Sequence, residues 1–300
     1  MTLEVDPGAR AAIGLEEYLA AVEAMNFDPD CEDAYLETAA LLGALSRNKG
    51  FLGDLMIEEL RGRAQAQQRD NGYGPQVLLL HRGPGWFVRA NIWPDARDAM
   101  VRASGSHRFF YGVPHDHNFC FLTSGYFGPG YWSDYYEVDH ARLRGVAGER
   151  ADLRFIERSS LGEGRMLLYR THRDVHSQHP PDSLSISLNL VQGTAGRAFL
   201  DQFRFDVDRD LIVGQLSFTS TEALVALMPA LGGEDGAELL ADFGARHPCD
   251  RIRYGAILAR AAASADRADS IAILERAADD PSRLVAEQAR VRLEAAQTAD

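Results

Sequence analysis

The sequence has few cysteines and no long apolar run, and each scarcity narrows what the chain can be. The three cysteines, Cys31, Cys120 and Cys249, are odd in number and far apart. They exclude a disulfide framework and favour a reducing, cytoplasmic location. No run approaches the roughly 20 apolar residues that a bilayer span needs, so we expect no membrane segment and no membrane partner. The first residues, MTLEVDPGAR, lack a basic start and an apolar stretch, so we expect no secretory signal.

Basic residues are also fewer than acidic ones. The chain has 31 basic residues, of which Lys49 is the only lysine, against 44 acidic residues, and the net charge is −13. An acidic excess of this size repels phosphates, so we expect no nucleic-acid partner. The P-loop, dinucleotide-binding, serine-hydrolase and paired-cysteine motifs are missing as well. Their absence excludes the corresponding nucleotide, hydrolase and structural zinc sites.

What is present divides into three segments. Residues 1–72 and 219–300 repeat apolar residues at helical spacing. Residues 73–218 contain short runs rich in Val, Ile, Tyr and Phe, separated by Gly, Pro and Asp, which is typical of an antiparallel sandwich or barrel. Among its predicted strands are His107–Val113 and His115–Ser124. We therefore predict an α+β protein with helical N-terminal and C-terminal regions around a β-barrel.

The C-terminal segment contains RIRYGAILARAA, SIAILERAADD and SRLVAEQARVRLEAA. These sequences resemble helix-pair repeats of the HEAT type, which are common interaction surfaces. The alternative is a simple helical bundle that packs on the barrel. Helical ends of either kind also allow a homodimer.

Histidine is concentrated in two short windows. His115 and His117 lie in PHDHNFCF, and His172, His176 and His179 lie in YRTHRDVHSQHPP. Because residues i and i+2 of a strand share a face, His115 and His117 project together, and two such imidazoles can chelate a transition metal. A third ligand must come from the second window. Counting forward from its glycine turn favours His176, whereas counting back from the strand SLSISLNL favours His172; we prefer His176.

The segments YGVPHDHNFCFLTSGYFGPG and GEGRMLLYRTHRDVHSQ resemble the two motifs of the cupin superfamily. The first cupin motif has a Glu ligand where this chain has Phe121. The absence of that Glu resembles the three-histidine, cysteine dioxygenase-like branch of the superfamily. The resemblance covers about Val77–Asp206. It implies a jelly-roll-like barrel with a mononuclear non-haem iron centre, in which His115, His117 and His176 bind Fe(II) and O₂ is a co-substrate.

The same branch holds its substrate carboxylate with an Arg-Asn pair on an earlier strand, and WFVRANIWP offers Arg89 and Asn91 for this role. In GYFGPGYWSDYYEVD, Tyr126 and Tyr135 are candidates to line the mouth of the barrel, or else they belong to its core. The alternation in SLSISLNL places polar residues on one face, where they orient a substrate if that face points inward. They are Ser183, Ser185, Ser187 and Asn189.

The leading hypothesis is therefore an enzyme, an Fe(II)-dependent oxygenase acting on a small amino-acid-like or carboxylate-bearing molecule. Other divalent metals suit imidazole equally well. One alternative is a non-catalytic metal- or ligand-binding cupin with a helical interaction region, and another is a metal-dependent isomerase or lyase. A third is a 2-oxoglutarate-dependent hydroxylase of the JmjC-like kind. That class needs His-x-Asp/Glu, and this chain has His117 at the third position.

Overall fold

The computed structural model describes residues 2–74 and 76–298. The chain divides into two compact units. The first contains Met1–His140, Asp152–Arg197 and Arg204–Asp210. The second contains Ala141–Ala151, Ala198–Phe203 and Leu211–Asp300.

Helices occupy both ends of the chain, as the apolar periodicity predicts, and a short helix lies within the strand-rich residues 73–218. They are α1 Leu15–Ala24, α2 Glu32–Arg47, α3 Phe51–Arg61, α4 Gln65–Asp70, α5 Ala99–Ser104, α6 Ser220–Leu231, α7 Gly233–Arg246, α8 Asp250–Ala262, α9 Arg267–Ala278 and α10 Arg283–Thr298. The predicted strand His107–Val113 is wrong. Helix α5 ends just before this segment, and the first residues of the segment belong to a 3₁₀ turn, Ser106–Phe109. The Asp98 side chain accepts from the Met100 N–H and so starts α5 locally, which aromatic β-propensity did not reveal.

Among the described residues the strands form sheets of six, three and two strands, and those of the two larger sheets pair antiparallel. The strands are β1 Leu3–Glu4, β2 Val77–Gly83, β3 Trp86–Trp93, β4 Phe121–Phe127, β5 Trp132–Glu137, β6 Arg154–Ser160, β7 Met166–Tyr169, β8 Asp174–His179, β9 Ser185–Gln192, β10 Phe203–Asp206 and β11 Leu211–Gln215. The six-stranded sheet has the order β1-β7-β4-β9-β3-β2, and the three-stranded sheet has the order β6-β5-β8.

The two faces of the six-stranded sheet pack against different partners, because side chains alternate along each strand. On the helix-side face, Val88, Leu122 and Leu190 join one core with residues of α1 and α2, including Tyr18 and Leu42. On the opposite face, which we call the inner face, a second core continues towards the three-stranded sheet. Its members include Phe87, Phe121, Leu167, Tyr169, Val191, Tyr131 and Tyr135.

The α+β class and the antiparallel pairing are confirmed, but within residues 2–74 and 76–298 no sheet closes into a barrel. The reason lies in the segment that precedes β4. It makes only isolated bridges, such as Tyr111 with Gln178 and His115 with His176, where a barrel would need a continuous ladder. The first unit is therefore built on two facing open sheets with helices on one outer side.

The second unit contains α6–α10. A capping box at Thr219 and Glu222 starts α6. One apolar cluster includes Val225, Leu240 and Ile252, and another forms around Ile257 and Val285. Their resemblance to HEAT repeats stays a prediction. No helix in the part of the chain that the structure describes is long and apolar enough to cross a membrane.

Candidate metal centre

His115 and His117 lie in an irregular segment that precedes β4, and the predicted strand His115–Ser124 is therefore wrong at its start. The backbone still fixes this segment against β8. The His115 N–H donates to the His176 carbonyl at 3.0 Å, and the His176 N–H donates to the His115 carbonyl at 3.0 Å. This reciprocal pair places one histidine of each sequence window directly opposite the other.

The three imidazoles of His115, His117 and His176 converge. Their ring centroids are 4.8 Å apart for His115 and His117, 4.7 Å for His115 and His176, and 5.0 Å for His117 and His176. One nitrogen of each ring lies within 4.8 Å of the others. All three residues are buried, with exposed fractions of 4%, 6% and 1%. Such a group could hold one metal ion.

Hydrogen bonds leave nitrogen lone pairs available at this point of convergence. The Nδ1 atom of His115 lies 2.7 Å from the Val113 carbonyl. A carbonyl only accepts, so this Nδ1 carries the proton and the Nε2 lone pair is free. The Nδ1 atom of His176 lies 3.1 Å from the Tyr169 hydroxyl, and the Nε2 atom of the same ring is buried without a hydrogen-bond partner. The Nδ1 atom of His117 is also buried and unpaired.

Burial favours the neutral form of these rings. It lowers the pKa of His115 to about 4. It also lowers the pKa of His117 and of His176 well below the ordinary value, and charge on the neighbouring histidines lowers them further. Neutral imidazole is the form that binds metals. Buried nitrogen atoms without partners, in rings that stay neutral, therefore fit a divalent transition metal.

His172 does not belong to this group. Its backbone φ is 58°, as expected for a turn, and its ring stacks on His140 at 3.8 Å between centroids. The structure thus brings His176, and not His172, to the pair in the first window. His179 points elsewhere, and its Nε2 atom lies 2.8 Å from an Asp134 carboxylate oxygen.

Two tyrosines extend from His176 into the protein. The Tyr169 hydroxyl donates to the Tyr135 hydroxyl at 3.2 Å, which leaves the Tyr169 oxygen to accept from His176 Nδ1–H. Tyr135 also stands opposite His176 in the β5–β8 pairing, so the structure brings this predicted residue to the site. Sequence reasoning missed Tyr169. Its position on the inner face, two residues after the buried Leu167, was the available signal.

Tyr126 requires a correction. It lies on the helix-side face, where its ring contacts Phe51 and its hydroxyl donates to the Asn48 carbonyl at 3.0 Å. A register shift between Gly125 and Phe127 accompanies this position in β4. Tyr126 is therefore part of the core between sheet and helices, and it is not brought to the three histidines.

Arg89 and Asn91 lie on the inner face of β3, on the same side as Phe87 and Trp93. Arg89 is half-buried, and its guanidinium lies 5.1 Å from the Tyr73 ring centroid and 5.8 Å from that of Phe87. No ion pair found among the described residues includes it, and its Nε atom is buried without a partner. Burial lowers the pKa of Arg89, and the charge of Arg89 in turn lowers the pKa of His117.

No protein-family model matches this sequence, and no curated protein matches it. Among solved structures, it is similar to hydroquinone 1,2-dioxygenase PnpCD in complex with Cd²⁺ and 4-hydroxybenzonitrile, with 9% identity and a TM-score of 0.26 over 43% of this chain and 71% of that chain. Hydroquinone 1,2-dioxygenase from Sphingomonas sp. TTNP3 with 4-hydroxybenzoate bound gives 9% identity and a TM-score of 0.26 over 41% and 70%. A structure of the DMSP lyases RdDddP and RnDddQII gives 12% identity and a TM-score of 0.23 over 68% and 84%. Likenesses at this level carry no argument about the activity of this chain.

Proposed function

We propose that the protein is an Fe(II)-dependent oxygenase with a three-histidine centre, and that it acts on a small carboxylate-bearing substrate. The observation that carries the proposal is the convergence of three buried imidazoles, His115, His117 and His176, with nitrogen atoms left unpaired. Three neutral ligands leave the full +2 charge of a divalent ion and open coordination positions. Bound Fe(II) would supply one-electron and O₂ chemistry, while the protein supplies positioning and a dry environment.

The residues of the chain then have separate tasks. Arg89 binds the substrate carboxylate, which would give its guanidinium the anionic partner it lacks within the fold. Tyr169 holds His176 in one tautomer, which leaves the Nε2 lone pair available to a metal. The ring centroids of Phe119 and Phe121 lie 5.1 and 4.9 Å from that of His117, so these two rings would shield this side of the metal centre from water.

Metal content tests this proposal directly. Protein without a histidine tag is reconstituted anaerobically with Fe(II), and bound metal is measured by elemental analysis. We expect about one iron per chain in the wild type, and loss of that iron in His115→Ala/His117→Ala and in His176→Ala. His172→Ala is the matched control and should retain it, because His172 stacks on His140 outside the group. Iron that survives in the double variant would refute the site.

O₂ uptake separates the oxygenase from its rivals. A panel of small carboxylic acids is offered to the iron-loaded protein in an oxygen electrode cell. Substrate-dependent O₂ consumption that Arg89→Met abolishes is the expected result. Turnover without O₂ would identify an isomerase or lyase. A requirement for 2-oxoglutarate would identify a hydroxylase, although the convergent group contains no carboxylate ligand among the described residues.

A further inference from the structure

Polar side chains form two adjacent rows on the inner face of the six-stranded sheet. In the first row, Arg89 stands opposite Asn189, and Asn189 stands opposite Thr123. In the second row, Asn91 stands opposite Ser187. Directly opposite residues on one face have their Cβ atoms about 5 Å apart, so these five side chains form one continuous surface. We call it the polar platform.

Several atoms of the polar platform are buried without a partner. Asn91 and Thr123 are 6% and 0% exposed, yet the Oδ1 atom of Asn91 and the Oγ1 atom of Thr123 make no hydrogen bond, and neither does Arg89 Nε. The remaining two members are engaged. Ser187 Oγ accepts from Trp93 Nε1 at 3.0 Å, and Asn189 Nδ2 donates to the Arg89 carbonyl at 3.5 Å. Buried polar atoms in native proteins almost always have a partner, so a bound group is expected to supply it.

The polar platform adjoins the candidate metal centre. Thr123 lies two residues after Phe121 on the inner face, and the Phe121 ring is 4.9 Å from the His117 ring. Near Asn91, the ring centroid of Trp93 lies 4.3 Å from that of Tyr131, and Tyr131 belongs to the same core as Tyr169. The polar platform and the candidate metal centre therefore border the same aromatic core.

The charge of this region selects among ligands. The strands β3, β4, β7 and β9 contain no Asp or Glu, and Arg89 is their only charged residue on the inner face. With a divalent ion on the histidines, the inner face of these four strands would offer a ligand positive charge and no carboxylate. A carboxylate is favoured there, whereas a ligand ammonium would find no carboxylate on this sheet and would be repelled. A neutral hydroxyl can donate to Asn91 Oδ1 or Thr123 Oγ1 at no such cost.

We propose that the polar platform makes the site selective for hydroxylated carboxylates over amino acids, with the carboxylate on Arg89 and the hydroxyl on Asn91 and Thr123. The carboxylate position is the part that rests on the proposed function. The hydroxyl position rests on the unpaired atoms of the sheet itself.

Calorimetric titration tests this selectivity. The protein is loaded with Zn(II), which suits imidazole ligands and undergoes no redox turnover. It is titrated with two matched trios: lactate, alanine and propionate, then mandelate, phenylglycine and phenylacetate. We expect a hydroxy acid to bind about tenfold or more tightly than its two partners, because it pairs buried atoms that the others leave unsatisfied. The titrations are repeated with metal-free protein.

Variants separate the sheet from direct chelation by the metal. Thr123→Val and Asn91→Leu should reduce the preference for the hydroxy acid to less than about threefold, since they remove its partners. Thr38→Val is the control, because Thr38 is equally buried in α2 but bonds to the Tyr35 carbonyl at 2.8 Å, and it should keep the preference. Arg89→Met should abolish binding of all six acids.

The two proposals fail in different ways. Iron bound by the three histidines without any preference for hydroxy acids, or with a preference that survives in Thr123→Val and Asn91→Leu, would overturn the selectivity and leave the metal centre intact. A preference for hydroxy acids in wild-type protein that fails to bind any metal would support the polar platform and overturn the metal centre. Equal binding of alanine and lactate would overturn the selectivity outright.

Discussion

The two faces of the six-stranded sheet share one backbone and differ in whether their buried polar groups have hydrogen-bond partners. On the four central strands, the helix-side face has few polar side chains and each is paired. Ser124 Oγ donates to Ser46 Oγ at 3.1 Å, and the Tyr126 hydroxyl donates to the Asn48 carbonyl. On the inner face of the same strands, Arg89, Asn91 and Thr123 keep buried atoms without partners.

This difference shows that polarity alone does not mark a functional surface. Tyr126 and Tyr135 are both buried tyrosines from one aromatic-rich segment, yet only Tyr135 lies near the histidines. What distinguishes the inner face is the unsatisfied polar atom, which costs free energy in the absence of a bound group. On the four central strands, the polar groups of the helix-side face are explained by folding alone, whereas a bound group would account for the unpaired atoms of Arg89, Asn91 and Thr123 on the inner face.

The largest effect should come from the helix-side core. Leu122→Ala removes a fully buried side chain and should lower the free energy of unfolding by about 2–5 kcal/mol, through lost burial and the cavity left behind. Denaturant unfolding measures the loss, and Leu60→Ala, at a 73% exposed position of α3, should change stability by less than about 0.5 kcal/mol. Metal content of the folded variant should stay at the wild-type level. A folded Leu122→Ala protein without metal would mean that the two faces are not separable.

A smaller effect is expected from the tyrosines. Tyr169→Phe removes the partner of His176 Nδ1 and should weaken metal binding about 10–100-fold, since such partners orient the ligand ring. Tyr126→Phe removes a comparable hydrogen bond on the helix-side face and should leave metal affinity unchanged. Competitive titration with a chelator measures both. Equal loss of affinity in the two variants would assign the effect of Tyr169 to general destabilisation.

The smallest effect concerns two buried threonines, for which the change in the free energy of unfolding should have opposite signs. Thr123→Val replaces an unpaired hydroxyl by a methyl group of similar size and should raise the free energy of unfolding by about 1 kcal/mol in protein free of metal and ligand. Thr38→Val breaks a satisfied hydrogen bond and should lower it by about 1 kcal/mol. Thermal and denaturant unfolding detect changes of this size. Destabilisation by both substitutions would show that Thr123 has a partner within the fold.

The sequence predicts the helices well because their apolar period is local. The segment 1–72, predicted to be helical, contains α1 to α4. The failures occur where distant contacts decide. The segment with His115 and His117 has strand-like composition, but its geometry depends on isolated bridges to β8 and to Arg204. An alternating hydrophobic pattern indicates which residues share a face, but it does not indicate which distant residues pair with each other.

The candidate site divides in the same way. The cluster of histidines is visible in the sequence, since residue type and window spacing carry it. The choice between His172 and His176 is not visible in the same way, because it depends on which of the two pairs through its backbone with His115. The side of the sheet taken by Tyr126 or by Asn91 is equally hidden. Alternation shows which residues share a face, but not which face is covered by helices.

The reciprocal backbone pair between His115 and His176 also determines how the site responds to local opening. Both amide protons are buried and bonded to the opposite carbonyl, so they exchange with solvent only when the irregular segment separates from β8. The same separation moves the imidazoles of His115 and His117 away from that of His176. Deuterium uptake at these two amides therefore reports, residue by residue, the opening event that would let a bound ion escape, and a bound ion should slow that uptake in proportion to its affinity.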